Sequence, residues 1–143
     1  MPPPSGNADR VLHPHGIFPC AGEDAWVAIA VRDEEDWCAL CAAIGREDLR
    51  ERRGERDLID RALEAWTRAH APAEVETVLQ ARGIPAHAVL DTPGLFACPQ
   101  LQHRGHFVEI AHEIFGTTTI ESSRLRFSRA RERVPESAIG FGA

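Results

Sequence analysis

The sequence contains no lysine and no tyrosine, and its single methionine stands at the first position. All 16 basic residues are therefore arginine. These absences exclude a lysine Schiff base, a phosphate-binding loop that ends in Gly-Lys-Ser/Thr, and a tyrosine general acid. The sequence also has no serine nucleophile elbow, glycine-rich phosphate loop or paired-carboxylate motif. Carboxylates, histidines and cysteines are the side chains that remain for catalysis.

Long hydrophobic runs are missing as well. No apolar stretch approaches the length of about 18 residues that a transmembrane helix needs, so no such helix is predicted. Residues 1–6 lack the apolar centre of a signal peptide. The net charge of -6 at pH 7 argues against nucleic acid or an anionic membrane as a partner. We therefore expect a reduced, cytoplasmic protein with no nucleic-acid or membrane partner.

The 143 residues have the length of one domain, and 43% of them are hydrophobic. A chain of this size can form a core without a disulfide or a metal. Residues 1–15 are rich in proline and show no periodicity, which predicts an N-terminal linker or arm. Residues 16–20 and 26–31 are predicted to form an antiparallel hairpin, and Pro19 places the first strand at a sheet edge.

Three helices are predicted after the hairpin. The first begins at the N-cap Asp33 and ends at Gly45, which can adopt a left-handed conformation. The second carries an apolar face within residues 58–66, and the third runs from Pro72 to Gly83. A short strand at 88–90, two short helical turns and a strand pair at 107–110 and 117–120 follow. This order predicts an α+β fold with a small antiparallel sheet packed against a group of three helices, plus extended arms at both ends.

Two patterns could hold a metal or a redox centre, and each has a structural alternative. Cys38 and Cys41 form a Cys-x-x-Cys pair, which can be redox-active or supply half of a zinc site. Both lie inside a predicted helix and no second Cys-x-x-Cys exists, which favours simple packing. His13 and His15 flank a proline, and no carboxylate cluster is adjacent in sequence, which favours a loop that enters a strand. We therefore predict no metal site.

Two further features are open to a functional and a structural interpretation. Asp33 directly follows the second predicted strand, so its carboxylate could point into a cleft or cap the next helix. Residues 124–133 hold five arginines against one glutamate. They could bind phosphate groups or form a solvated linker, and the sequence pattern leaves both interpretations open.

Several short segments occur in the order found in one protein family. The heptapeptide PHGIFPC at residues 14–20 precedes WVAIAV at 26–31 and the helix at 37–40. The likeness continues through residues 65–67, 81–86, 89–91, 99–101, 104–105, 107–109 and 126–128. Together they resemble the smaller domain of the class III CoA-transferases, which include formyl-CoA transferase, the carnitine and bile-acid CoA-transferases, and α-methylacyl-CoA racemase.

The resemblance implies that the chain is one part of a longer enzyme. Residues 1–15 would be the N-terminal linker or arm, and residues 16–105 the CoA-transferase small domain. Residues 106–143 would be a strand pair and an Arg-rich linker that leads back to a large domain. The nucleophilic aspartate of the family lies in that large domain, so the resemblance implies no catalytic residue in this chain apart from one candidate, Asp33. It implies that the isolated chain lacks activity.

The resemblance also implies substrates and an assembly. The parent enzyme would move CoA from an acyl-CoA to a carboxylic acid, so a coenzyme A thioester is a substrate and no cofactor is bound covalently. Full-length members form an interlocked homodimer. This chain would supply one wall of the acyl site and part of the scaffold.

Individual residues carry over at few positions. Asp33 matches a glutamate that takes part in α-proton transfer in the racemases, which makes it the candidate catalytic residue, and the departure from glutamate favours a transferase. The family's glycine-rich loop before the first strand has no counterpart at residues 11–15. The resemblance then implies substrate contacts through His13, His15 and Gly16. Residues 137–140 match the family's Leu-Gly-Glu-His-Thr-like segment poorly.

The sequence leaves three alternatives to a transferase small domain. The chain could belong to a racemase-like member of the family, or it could be a non-catalytic binding module derived from this domain. The third alternative is a metal protein that uses its cysteines and histidines.

Overall fold

A computed structural model describes residues 9, 11–122, 128–129 and 137–138. Most of the predicted N-terminal arm and most of the Arg-rich segment at residues 124–133 lie outside the described residues. The chain divides into two compact units, of which the first ends at Val89 and the second begins at Leu90. No helix in the described ranges is both long enough and apolar enough to cross a bilayer.

The first unit contains a three-stranded antiparallel sheet. Its strands are β1 (His15–Pro19), β2 (Trp26–Ala30) and β3 (Ala86–Ala88), in the order β1-β2-β3. The predicted hairpin and the edge position of Pro19 are both confirmed. The third strand begins two residues before its predicted start, because the pairing with β2 already starts where Pro85 accepts a hydrogen bond from Ala30.

Four helical segments cover one side of this sheet. They are α1 (Glu34–Ala43), a 3₁₀ helix (Glu47–Arg52), α2 (Arg56–Thr67) and α3 (Pro72–Gln80). The three predicted α-helices are therefore confirmed, and the described residues have the predicted α+β architecture. The 3₁₀ turn joins α1 to α2.

Local sequence explains where these helices start and stop. Asp33 caps α1 by accepting a hydrogen bond from the backbone N–H of Asp36 at 2.9 Å. Gly45 ends the helix with a φ of +67°, a conformation that glycine adopts at little cost. Pro72 occupies the first turn of α3, where its missing N–H is not needed.

The core lies between the helices and the inner face of the sheet. Every second residue of β2, Val27 and Ile29, is buried there. Trp37 from α1 is fully buried and is the largest side chain of the core. The remaining core residues with no exposed surface are Val31, Leu40, Cys41, Leu49, Leu63, Val75 and Leu79.

The second unit is built around a hairpin. After the short helices α4 (Thr92–Ala97) and α5 (Pro99–His103), strand β4 (Phe107–His112) pairs with β5 (Gly116–Glu121) in antiparallel fashion. This confirms the predicted strand pair. A two-residue strand, β6 (Ser137–Ala138), lies parallel to β4 on its other side. Phe96 stacks on Phe107 with ring centroids 4.2 Å apart, which ties α4 to the hairpin.

Candidate functional site

The outer face of the β1-β2-β3 sheet carries an apolar groove of about 700 Å³. Since successive side chains of a strand point to opposite faces, the burial of Val27 and Ile29 turns Ala28 and Ala30 outward. These two small side chains form the floor of the groove. A volume of this size is typical of small-molecule sites, which span roughly 300–1,000 Å³.

Larger side chains rise on both sides of the alanine floor. Ile17 on β1 and His87 on β3 both lie opposite Ala28, so the three residues form one row across the sheet. His15 lies opposite Ala30 in the next row. Ile17 is 46% exposed. The exposed part of Ile17 adds apolar surface to the wall of the groove.

Helix α3 closes the β3 side of the groove, and two of its polar side chains form hydrogen bonds with the backbone of β3. The side-chain amide of Gln80 donates a hydrogen bond to the carbonyl oxygen of Ala86 at 2.8 Å. The carboxylate of Glu76 accepts one from the N–H of Ala88, also at 2.8 Å. These two bonds satisfy the outer edge of β3, which would otherwise be open for pairing with another strand.

Arg32 fastens the start of α1 to the rim of the same groove. Its guanidinium donates to both carboxylate oxygens of Asp36, at 2.8 and 2.9 Å, and to the carbonyl oxygen of Gly83 at 2.8 Å. Gly83 lines the groove. The bonds from Arg32 hold the pKa of Asp36 below its usual value, although burial of this carboxyl opposes the shift.

Of the predicted substrate contacts, His15 and Gly16 line the apolar groove and His13 does not. His13 instead lines a second, more polar cavity of about 400 Å³ between β1 and α2. Its Nε2 atom lies 3.1 Å from Oδ1 of Asp60, whereas its Nδ1 atom is buried without a hydrogen-bond partner in the described part of the chain. Burial lowers the pKa of His13, and the nearby carboxylate of Asp60 offsets part of this effect.

Asp33, the candidate catalytic residue, is the N-cap of α1. Its Oδ1 atom accepts the hydrogen bond from Asp36 described above, so one carboxylate oxygen already has a structural partner. Asp33 does not line the apolar groove, but its neighbour Arg32 contacts the groove rim. The geometry therefore shows the predicted capping role of Asp33, and a catalytic role stays a prediction.

Cys38 and Cys41 lie within α1, as the predicted helix implies. Cys41 is fully buried, and burial raises the pKa of its thiol to about 11. Such a thiol is a poor nucleophile and a poor metal ligand at neutral pH. Across residues 9, 11–122 and the two short described stretches beyond them, no group of three or more His, Cys, Asp or Glu side chains is arranged to hold a metal ion.

The sequence pattern did not single out the groove floor or His87. A signal was nevertheless present in WVAIAV at residues 26–31, where large β-branched residues alternate with two alanines. Alternation of this kind gives one packed face and one face of small side chains. The partner strand β3, which supplies His87, is short and could not be placed against β2 from its sequence.

The fold and the groove together define an α+β chain whose first unit carries an apolar groove of the size of small-molecule sites. The sequence profile of CoA-transferase family III matches residues 1–141. The chain therefore belongs to CoA-transferase family III. A probable CoA-transferase of Mycobacterium tuberculosis, Rv1866, is 28% identical over 116 residues, an alignment that covers 72% of this chain and 15% of the relative.

Solved structures show the same fold. A CAIB/BAIF family protein from Brucella suis superposes with a TM-score of 0.74 at 22% identity, over 92% of this chain and 35% of that protein. Rv3272 from M. tuberculosis gives a TM-score of 0.71 at 23% identity, over 90% of this chain and 38% of that protein. The chain thus spans little more than a third of the solved relatives and a smaller part of the curated one.

Proposed function

We propose that this chain is the small-domain part of a family III CoA-transferase whose large domain carries the nucleophilic aspartate. The complete enzyme moves CoA from an acyl-CoA to a carboxylic acid. This chain contributes a wall of the acyl site through the groove and through His15 and Gly16. The proposal is carried by one observation: a family match over residues 1–141 in a chain that covers 35% of a solved relative.

The positions of the potentially catalytic side chains support the proposal that the nucleophile belongs to another domain. Asp33 is engaged as a helix cap, and Cys41 is a buried thiol with a raised pKa. His13 faces Asp60 in a separate cavity and not the groove. These side chains therefore do not form a pair of nucleophile and general base beside the groove. A nucleophile from outside this chain would complete the site.

The proposal extends to assembly and location. Residues 1–15 and 106–143 would connect residues 16–105 to the large domain, and the complete enzyme would be an interlocked homodimer in the cytoplasm. Its substrates would be an acyl-CoA and a free carboxylic acid. No covalently bound cofactor is required, because the thioester itself carries the activated acyl group.

A racemase-like activity is the second candidate, and Asp33 is the residue that bears on it. A base for α-proton transfer needs a carboxylate oxygen free to reach the substrate. Asp33 caps α1 and is not among the residues that line the groove, which favours the transferase. In a complete enzyme, Asp33→Ser would keep an N-cap residue and remove the carboxylate. If the enzyme is a transferase, this variant should still transfer CoA.

The test uses the purified chain in a thioester assay. We expect neither transfer of CoA from an acyl-CoA to a carboxylate acceptor nor exchange of the α-proton with deuterium from the solvent. A full-length family III enzyme serves as the positive control in the same buffer. Turnover by the 143-residue chain alone would overturn the proposed division between the two domains.

A further inference from the structure

The apolar groove has a composition that selects among acyl groups. Apart from three polar side chains, its lining consists of aliphatic residues, proline and glycine. The polar ones are His15, Gln80 and His87, and no aspartate, glutamate or arginine lines it. A charged acyl group placed here would lose its hydration, and the nearest cation described above, Arg32 at the rim, is already paired with Asp36. A hydrocarbon chain would instead gain from burial.

Two of those polar side chains form hydrogen bonds with backbone carbonyl oxygens of the protein. Gln80 donates to Ala86, and Nδ1 of His87 lies 2.8 Å from the carbonyl oxygen of Ala88. Their hydrogen-bonding capacity is therefore partly used inside the protein. The surface left for a ligand is the alanine floor with the side chain of Ile17 on one flank.

The outward side chains of β2 give the groove a direction, and Trp26 lies just beyond its lining residues. Ala30 and Ala28 lie two residues apart on one face of β2, about 7 Å along the strand. Trp26 follows on the same face, and its indole N–H donates to Asp24 at 2.8 Å, which fixes the ring at that end. The row of small side chains thus begins beside His15 and stops at an indole ring.

We propose that this groove holds the hydrocarbon chain of an uncharged, straight-chain acyl thioester, with the thioester beside His15 and the chain along Ala30 and Ala28 toward Trp26. This inference rests on the proposed function, because it assigns the substrate class of that enzyme. The two alanines are the specificity-determining residues, since any larger side chain at either position would fill the floor.

The inference is tested by binding, which needs no turnover. The purified chain is titrated calorimetrically with S-acyl-N-acetylcysteamine thioesters that carry acetyl, butanoyl, hexanoyl and octanoyl groups. Each added methylene should raise the affinity about two- to fourfold while it lies on the groove floor. Ala28→Phe should abolish this dependence on chain length. Ala111→Phe, on an exposed position of β4 in the other unit, is the matched control and should retain it.

Two measurements keep the result independent of misfolding. Circular dichroism must show that Ala28→Phe melts cooperatively, and Ala30→Leu provides a second, smaller block of the floor. Amide NMR shifts caused by the octanoyl thioester should be centred on Ile17, Ala28 and His87. The inference would be overturned if no thioester binds, or if the affinity does not depend on acyl-chain length. It would also be overturned if both groove variants keep the native dependence on chain length, or if the NMR shifts are centred on other residues.

The outcomes separate this inference from the proposed function. If a complete enzyme containing this chain transfers CoA while the thioester series shows no length dependence, the groove assignment is refuted and the proposed function stands. If the series is length-dependent while the complete enzyme transfers no CoA, the groove assignment stands and the proposed function is refuted.

Discussion

The stability of the first unit should depend on pH through His13, whose side chain is only 12% exposed. Burial lowers the pKa of this imidazole because the charged form loses hydration. Asp60 favours the charged form, but its own side chain is 46% exposed and solvent weakens its field. Arg56 and Arg53 lie close enough to add to the lowering. The folded state therefore prefers neutral His13.

The direction of the effect follows from proton binding in the two states. An unfolded histidine titrates near pH 6.5, whereas folded His13 takes up its proton at a lower pH. Between these two values the unfolded chain binds more protons, so lowering the pH destabilises the folded state. One proton contributes up to about 1.4 kcal/mol per pH unit within this window. Above pH 6.5 the contribution is fully present and constant.

The measurement is urea unfolding at pH 7.5, 6.5, 5.5 and 5.0. His13→Asn removes the titrating group, and its stability should fall less steeply below pH 6.5 than that of the native chain. His103→Asn is the matched control, because it makes the same exchange at an exposed histidine of the second unit. Equal slopes for the native chain and His13→Asn would refute the assignment of a buried neutral imidazole. A slope in His103→Asn as shallow as that in His13→Asn would refute it as well.

Three further changes probe the first unit. Trp37→Ala should lower the free energy of unfolding by about 3–5 kcal/mol in urea, because the side chain is fully buried and its Nε1–H donates to the carbonyl oxygen of Arg50; a loss below 1 kcal/mol would contradict this packing. Asp36→Asn should cost about 1.5–3 kcal/mol by the same method, since it removes a buried charge that accepts three bonds from Arg32; Glu35→Gln, at an exposed neighbouring position, should cost little. In native protein at pH 8, iodoacetamide should modify Cys38 at least tenfold faster than Cys41, as read by peptide mass spectrometry, because burial raises the pKa of Cys41 to about 11; equal rates would contradict the burial.

Those parts of the fold that depend on neighbouring residues were predictable from the sequence. Asp33, Pro72 and Gly45 mark helix ends through local hydrogen bonding and backbone conformation, and the structure confirms all three. The hairpin of β1 and β2 is also local, since a short turn joins its strands. The family of the chain was predictable only from several short segments taken together, because no single motif is specific for it.

The register of β3 was not predictable in the same way. It pairs with β2 across more than 50 residues of intervening helices, so its position depends on how α3 packs. The side chains of Glu76 and Gln80 hold the strand edge, and the spacing of these residues from β3 carries no recognisable pattern. The predicted start at residue 88 followed the most apolar run, whereas the hydrogen bonds of the sheet begin at Pro85.

The two cavities beside β1 share residues of that strand and have different chemistry because different elements complete them. On the outer face, Ile17 and the alanines of β2 leave an uncharged groove. On the side of α2, the strand meets Asp57, Asp60 and Glu64, and the cavity there is lined by several charged groups. His15 lines both cavities. A thioester beside His15 would therefore have its acyl chain in an apolar environment, while polar groups of the same substrate could remain on the charged side. If the proposed function is right, this arrangement would orient a substrate by solvation alone, before any contact with a nucleophile from another domain.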